Sequence, residues 1–366
     1  MAISEFQVGR LVKAIRAHKL DALLVAPSED LVCLLGFSPM LCERFQGLFV
    51  TAEGSSFYIC NLLYVDELAE HLERKDIYSW FDGDGFVSTV QKAFMEKGLL
   101  GGRIGVSQSV RAFNALAIAA AMDVTFVDAM TVIHEARMLK TEEELGGLRK
   151  AAAIADAAFG RTVAQMKAGM TEQQVKDILF GHMSALGGVN PEGIIASGPN
   201  GALPHYMGGG RALQKGDAVV MDFGCTVDNM QSDITRTVFM GPPPQKQQDI
   251  YALVLESNLK GEAAVAEGAW IPDVDKAARD VIEQAGYGPY FTARLGHGIG
   301  FLIHEAPDIK RTNERALEKG MAFSIEPGIY LAGEFGVRIE DIVCVNHRGD
   351  AEILNKAAKE WIVIDN

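Results

Sequence analysis

At 366 residues, with 48% hydrophobic and 22% charged side chains, the chain has a globular composition and is too long for one ordinary core, so two domains are expected. Its formal charge of −14 argues against a nucleic-acid or anionic-membrane surface, because such partners need clustered Lys and Arg. The longest apolar run, around Ala115–Met122, is too short to span a bilayer.

The five cysteines are odd in number and make no CxxC pair, which suits free thiols in a reducing compartment. The N-terminal MAISEFQVGR has neither the basic nor the apolar stretch of a secretion signal, so a cytoplasmic protein is expected. Helical spacing of Val8, Leu11, Val12 and Ile15 predicts a helix over Glu5–Lys19. Short strands are expected at Asp21–Ala26, Leu31–Phe37, Gly47–Thr51 and Ser56–Cys60. Helices are expected at Asn61–Glu73, Val87–Lys97 and Val110–Met122, with further strands at Arg103–Ser107 and Val124–Asp128. This alternation indicates a small α/β domain, with a boundary near residues 130–140.

The rhythm then changes. Thr141–Glu144 and Thr171–Gln174 are capping boxes that open two helices, the second stopping at Gly187–Gly188. Later helices start near Gln245 and at Ile271, with strands around them. A helix pair followed by a carboxylate-bearing hairpin occurs twice, which suggests a pseudo-repeat.

Val219–Phe239 reads as the first of those hairpins. Val219–Met221 form an apolar strand ending at Asp222, Cys225–Ser232 a turn-rich patch, and Asp233 opens the alternating ITRTVF. Asp222 and Asp233 are then neighbours, and two carboxylates that close repel unless a proton or cation lies between them. In the second hairpin, Met321–Val345, Glu326 ends the strand AFSI and Glu340 lies inside VRIEDIVCV. Four carboxylates embedded in apolar strands are costly as bare charges. RLGHGIG adds His297 between glycines, FLIHEAP adds His304, and a Gly/Pro loop adds His205. Any one of these histidines alone reads as an ordinary core residue. Together with the carboxylates they point to a hard, oxygen-rich site with one imidazole, suited to Mn²⁺, Co²⁺, Fe²⁺ or Zn²⁺ more than to Mg²⁺ or Ca²⁺. Gly208–Gly210 and GHGIG lack the context of phosphate-binding loops.

The ordered motifs MDFG, SDITRT, LGHGIG, SIEPGIY and VRIED resemble the pita-bread metallopeptidases, above all Xaa-Pro dipeptidases (prolidases) and aminopeptidase P. The resemblance covers essentially the whole chain. It implies an α+β fold, with a creatinase-like N-terminal α/β domain at residues 1–132 and a pita-bread catalytic domain at residues 138–366. It implies two divalent ions, Mn²⁺ foremost, held by Asp222, Asp233, His297, Glu326 and Glu340, with Asp233 and Glu340 bridging. A metal-bridged hydroxide would attack the scissile carbonyl, with Glu326 as general base and His205 and His304 hydrogen-bonding substrate and oxyanion. Arg338 would orient a ligand carboxylate, Arg236 likewise, and Arg294 would meet a C-terminal carboxylate. The implied activity is Xaa–Pro dipeptide hydrolysis on small peptides by a homodimer. Its alternatives are an aminopeptidase P on longer peptides, a creatinase-like hydrolase, or a catalytically silent binding module. The apolar Met40, Leu41 and Cys42 in the loop Phe37–Phe45 depart from the polar or aromatic residues usual there.

Overall fold

The computed structural model describes residues 5–365; the first four residues, on which part of the N-terminal reading rests, lie outside them. The chain divides into two compact units, Met1–Arg137 and Met138–Asn366.

The first unit runs α1 (Glu5–Ala17), β1 (Ala22–Val25), α2 (Glu29–Leu35), β2 (Gly47–Thr51), β3 (Ser56–Asn61), α3 (Val65–Leu68), β4 (Ile77–Trp80), α4 (Val87–Lys97), β5 (Arg103–Val106), α5 (Ala112–Ala121), β6 (Thr125–Asp128) and α6 (Met130–Met138). Its sheet has the order β4-β3-β2-β1-β5-β6, with β2 antiparallel to both neighbours and the other pairs parallel. Alternation of side chains along each strand sends them to opposite faces. Leu23, Val25, Leu48 and Val50 meet Leu11 and Ile15 of α1, Leu31 and Leu34 of α2, and Val132 and Ile133 of α6. Leu24, Phe49, Phe57 and Ile104 meet Val90 and Phe94 of α4 and Ile118 of α5.

Two expectations fail here. The predicted strand Leu31–Phe37 is the helix α2: its buried Asp30, Leu31, Leu34 and Leu35 follow helical spacing, and Gly36, at φ 69°, ends it. The predicted helix Asn61–Glu73 is broken, because β3 runs through Asn61. The Asn61 side chain then caps a single 3₁₀ turn, Leu62–Tyr64, before the one-turn α3. Strand β4 and helix α6 were not foreseen.

The second unit runs α7 (Glu142–Val163), α8 (Glu172–Ala185), β7 (Val189–Ser197), β8 (Ala218–Val227), β9 (Met230–Gln231), β10 (Ile234–Met240), α9 (Gln245–Ala263), α10 (Ile271–Gln284), β11 (Gly296–Gly298), β12 (Glu305–Ile309), β13 (Ala322–Ile325), β14 (Gly328–Leu331), β15 (Phe335–Arg338), β16 (Asp341–Val345), β17 (Ala351–Ile353) and β18 (Ile362–Ile364). Both capping boxes form, at Thr141/Glu144 and Thr171/Gln174.

The α7–α8 pair packs through Phe159, Val175 and Leu179 on the sheet β18-β10-β8-β7. The α9–α10 pair packs through Val254, Val274 and Ala278 on the sheet β12-β11-β13-β16-β17. The order of two helices followed by a sheet therefore repeats, every strand pair of the two sheets being antiparallel except β10–β18. An isolated bridge between Thr235 and Glu340 joins the two sheets, supported by Thr237 Oγ1 donating to Arg338 O at 3.0 Å. The first hairpin differs from expectation. Strand β8 continues past Asp222 to Val227, because Phe223 and Cys225 enter the core, and only Asp228 and Asn229, both at positive φ, turn the chain.

Candidate metal centre

Three of the site's four carboxylates stand where a strand begins, ends or leaves its ladder; Asp222 lies within β8, in register with Ile194 of β7 as well as with β10. Thr235 pairs with Asp222 across β8 and β10. Ser232 and Asp233 fill the break between β9 and β10, where the Ser232 carbonyl crowds Gly224 so closely that an added Cβ there would lie 1.8 Å from it. Glu326 follows the last residue of β13, and Glu340 sits between β15 and β16. His297 lies in β11 between two glycines that no other residue could replace. A Cβ on Gly296 would meet Ser324 O at 1.8 Å, and one on Gly298 would meet Ala306 O at 2.2 Å.

These elements converge. One ligand atom from each of Asp233, His297 and Glu340 falls within a 4.8 Å cluster, and all three residues are buried. His297 Nε2 is 3.3 Å from Glu326 Oε1 and 3.6 Å from Asp233 Oδ2. With its proton on Nδ1, the ring donates to Gly298 O at 3.1 Å, which leaves Nε2 as the inward-facing lone pair. The Ser324 hydroxyl accepts from the His297 amide at 3.0 Å and donates to Glu326 Oε1 at 3.1 Å. Arg338 is buried and donates to Asp222 Oδ2 at 2.5 Å, Thr235 Oγ1 at 3.0 Å and Tyr330 Oη at 2.8 Å. Thr235 passes the contact on, donating to Glu340 Oε2 at 2.6 Å.

The electrostatics are strained as the side chains stand. Burial, then the charges of Glu340, Asp222 and Glu326, push Asp233 well above the ordinary carboxylate range. Burial, then Glu326 and Asp222, does the same to Glu340. Burial pushes Glu326 up to about 7, although Arg338 pulls the other way. Burial also pushes His297 down to about 4. Asp233 Oδ1 and Glu340 Oε1 are enclosed and meet no hydrogen-bond donor among the described residues. Bare carboxylates with enclosed, unbonded oxygens are among the costliest groups to bury. Divalent cations remove that cost, and an oxygen-rich set with one imidazole Nε2 fits them.

The outer residues are less uniform. His304 meets the His297 ring edge to face, centroids 4.2 Å apart. Desolvation on that side, then the charges of His297 and Arg294, push it down to about 4, while its outer side is exposed. His205 is exposed on the loop after the 3₁₀ turn Gly198–Ala202. That loop is tethered by Glu172, whose buried carboxylate accepts from Ser197 N at 2.7 Å, Ser197 Oγ at 2.8 Å, Asn200 Nδ2 at 3.0 Å and Tyr206 Oη at 2.9 Å. Arg294 donates to Asp308 Oδ1 at 2.6 Å. Arg236 differs from its expected part. It bonds Asp341 Oδ1 at 2.6 Å and the Glu340 carbonyl at 2.7 Å, and so holds main chain rather than a site carboxylate.

Sequence reasoning passed over Thr235, Tyr330 and Ser324, though all three lie inside the quoted motifs or beside them. It also passed over the buried Lys140–Glu305 pair, which wedges against Gly300 behind the β11–β12 connection. Only the three-dimensional pairing of distant segments reveals that contact.

Comparison with known proteins bears on both units. Residues 146–347 match the model of metallopeptidase family M24, and residues 7–139 that of the creatinase/prolidase N-terminal domain. A probable dipeptidase PepE of Mycobacterium tuberculosis is 36% identical, over 94% of this chain and 92% of its own length. An Xaa-Pro dipeptidase of Pyrococcus horikoshii is 31% identical over 99% of this chain and 100% of its own. The crystal structure of a recombinant prolidase from Thermococcus sibiricus superposes with a TM-score of 0.90 at 33% identity, covering 98% of each chain.

Proposed function

Because the chain belongs to metallopeptidase family M24 and carries a creatinase/prolidase-type domain ahead of its catalytic one, we propose that it is a dinuclear-metal peptidase that hydrolyses Xaa–Pro bonds, chiefly in dipeptides. The observation that carries this reading is the convergence of Asp233, His297 and Glu340 with Glu326 and Asp222, with two enclosed carboxylate oxygens unbonded by protein. Asp233 and Glu340 would hold both ions, Asp222 completing one and His297 and Glu326 the other. Mn²⁺ suits four carboxylates and one imidazole best, with Co²⁺, Fe²⁺ and Zn²⁺ as alternatives. When bound, a pair of divalent ions supplies water activation at neutral pH and polarisation of the substrate carbonyl.

The remaining roles belong to the chain. Glu326, its side chain 18% exposed and 3.3 Å from His297 Nε2, takes the attacking water's proton and passes it to the leaving nitrogen. His304, held neutral, donates an N–H to the tetrahedral oxyanion, and His205 binds the substrate from its loop. Arg338 fixes Asp222 while Thr235 fixes Glu340. The proline preference follows the names of the relatives: the P. horikoshii and T. sibiricus proteins are an Xaa-Pro dipeptidase and a prolidase. A homodimer and a cytoplasmic location complete the reading. None of the described helices is long and apolar enough to cross a membrane.

Mn²⁺-loaded protein incubated with Ala-Pro, Ala-Ala and Ala-Pro-Ala is expected to cleave Ala-Pro fastest. Inactivity on both proline peptides would discard the reading, and preference for Ala-Pro-Ala would move it to an aminopeptidase P. Metal analysis should find about two ions per chain.

A further inference from the structure

Helix α9 turns Asn258 and, one turn later, Glu262 into the core. Asparagine is a poor helix former, and it is costly to bury unless its amide atoms are bonded. A Cβ on Gly261 would lie 3.0 Å from Ile325 Cγ2 and 3.2 Å from Ala278 Cβ, so α9 approaches the end of β13 closely enough for a short side chain to reach it. Asn258 Nδ2 donates to Ile325 O at 2.9 Å and to Ile339 O at 3.4 Å. Those carbonyls belong to the peptide groups that immediately precede Glu326 and Glu340. The ladder of that hairpin is interrupted there: β13–β16 pairing ends at Ile325/Asp341, and β14–β15 pairing resumes at Gly328/Arg338. Glu326 and Glu340 lie in the gap, which Ile339 N crosses only at 3.4 Å to reach Pro327 O.

The amide cannot turn over in this place. Lys359 Nζ donates to Asn258 Oδ1 at 2.7 Å, and an ammonium only donates while a carbonyl only accepts. Lys359 is fixed in turn by Glu262 Oε1 at 2.5 Å and Asp341 Oδ2 at 2.6 Å. Arg236 holds the next peptide group through Glu340 O at 2.7 Å, so the main chain of Glu340 is gripped on both sides. We propose that Asn258 is a positioning residue of the metal centre: by bridging the interrupted ladder it fixes the separation of Glu326 and Glu340, and Lys359 fixes the bridge. This rests on the reading of Glu326 and Glu340 as metal ligands. Their place in the site is geometric: Glu326 Oε1 lies 3.3 Å from His297 Nε2, and Glu340 lies in one cluster with Asp233 and His297.

The test is calorimetric titration of Mn²⁺ into parent and variant proteins that circular dichroism shows to be folded. Asn258→Asp keeps the shape and the bond from Lys359 but, ionised beside that ammonium, offers no N–H to the two carbonyls. It should bind Mn²⁺ about 10–100-fold more weakly, the range for residues that orient metal ligands. Ser257→Ala is the control, because it breaks a buried hydrogen bond of the same helix, Ser257 Oγ to Ala278 O at 2.7 Å, that leads to α10 instead. It should lower Tm and leave Mn²⁺ affinity at the parent's value. A merely structural part for Asn258 gives that same pattern in Asn258→Asp, a lower Tm with unchanged affinity, and this result overturns the inference. An equal loss of affinity in Ser257→Ala overturns it too. Should Asn258→Asp not fold, Asn258→Ala, a better helix former, is judged by the same criterion. A parent protein that takes up no Mn²⁺ overturns the metal reading and the inference with it, whereas uptake by the parent matched by the variant overturns the inference alone.

Discussion

Thr235 shows how much a single hydroxyl holds at this site. It accepts from Arg338 Nε at 3.0 Å and donates to Glu340 Oε2 at 2.6 Å, so one oxygen fixes the guanidinium that grips Asp222 and a carboxylate assigned to both ions. Thr235 is fully buried, and water cannot replace it from outside. Thr235→Val keeps the shape and removes both bonds, leaving a charged acceptor and a charged donor unmet. The cost of such an omission is about 1–3 kcal/mol. We expect Thr235→Val to bind Mn²⁺ roughly 10–100-fold more weakly, the range typical of residues that orient metal ligands, and Thr235→Ser to stay near the parent protein. Calorimetric titration with Mn²⁺ checks this without reference to turnover. A valine variant that binds as tightly as the parent would remove Thr235 from the metal's support.

At the scale of elements, the loop bearing His205 is the least self-supporting part of the site. Met207 is 86% exposed and three glycines follow it, so the loop has few apolar contacts of its own. Its order comes from Glu172 in the first turn of α8, which gathers four donors from Ser197, Asn200 and Tyr206. Glu172→Ala should leave those donors unmet and free the loop, lowering kcat/KM by about 10–100-fold mainly through KM. Glu172→Gln should lose less, because its oxygen still accepts and its amide can donate to the Tyr206 hydroxyl. Faster amide exchange over residues 203–210 in the alanine variant, with Mn²⁺ affinity intact, would separate this from general unfolding. Unchanged exchange there would show that the loop is held by something else.

The same scale explains what could be read in the chain and what could not. Thr141 and Thr171 were legible because a capping box is complete within four residues. His297 was legible as a site of close approach because its flanking glycines announce crowding, which the Ser324 and Ala306 carbonyls supply. Leu31–Leu35 misled because a short apolar run fits a strand or a buried helix equally, and only burial at Leu31, Leu34 and Leu35 decides between them. The turn after Asp222 was placed too early because polar residues in Cys225–Ser232 resemble a loop, whereas pairing with β7 keeps β8 extended to Val227. Arg236 was assigned to the wrong partner for a related reason. Alternation along β10 fixes the side of the strand it leaves from, but its acceptors, Asp341 and the carbonyls of Ala357 and Ala358, come from segments over a hundred residues away.

For the molecule as a whole, the buried carboxylates make stability depend on pH and metal together. Asp233, Glu340 and Glu326 all have raised proton affinities when folded without metal, Glu326 at about 7. Groups of this kind stabilise the fold while protonated, and that contribution is lost as pH rises through their folded values. His297 and His304, lowered to about 4, act in the opposite sense, stabilising the fold above the ordinary histidine value of 6.5 and losing that contribution as pH falls. Below 6.5 the two sets oppose each other. Between pH 6.5 and 8 the histidine contribution levels off while the carboxylates still change, and each proton they carry in excess of the unfolded chain removes about 1.4 kcal/mol per pH unit. Divalent ions displace those protons, so their binding at pH 7 should release protons, measurable as a heat that varies with the buffer's ionisation enthalpy. Metal-free protein should therefore lose several degrees of Tm from pH 6.5 to 8, at about 2–4 °C per kcal/mol for a domain of this size. Mn²⁺-loaded protein should lose less, and the gap between the two should widen with pH. A gap that stays constant or narrows over that interval would mean that the carboxylates are not protonated in the metal-free fold, and that something other than protons relieves their mutual repulsion there.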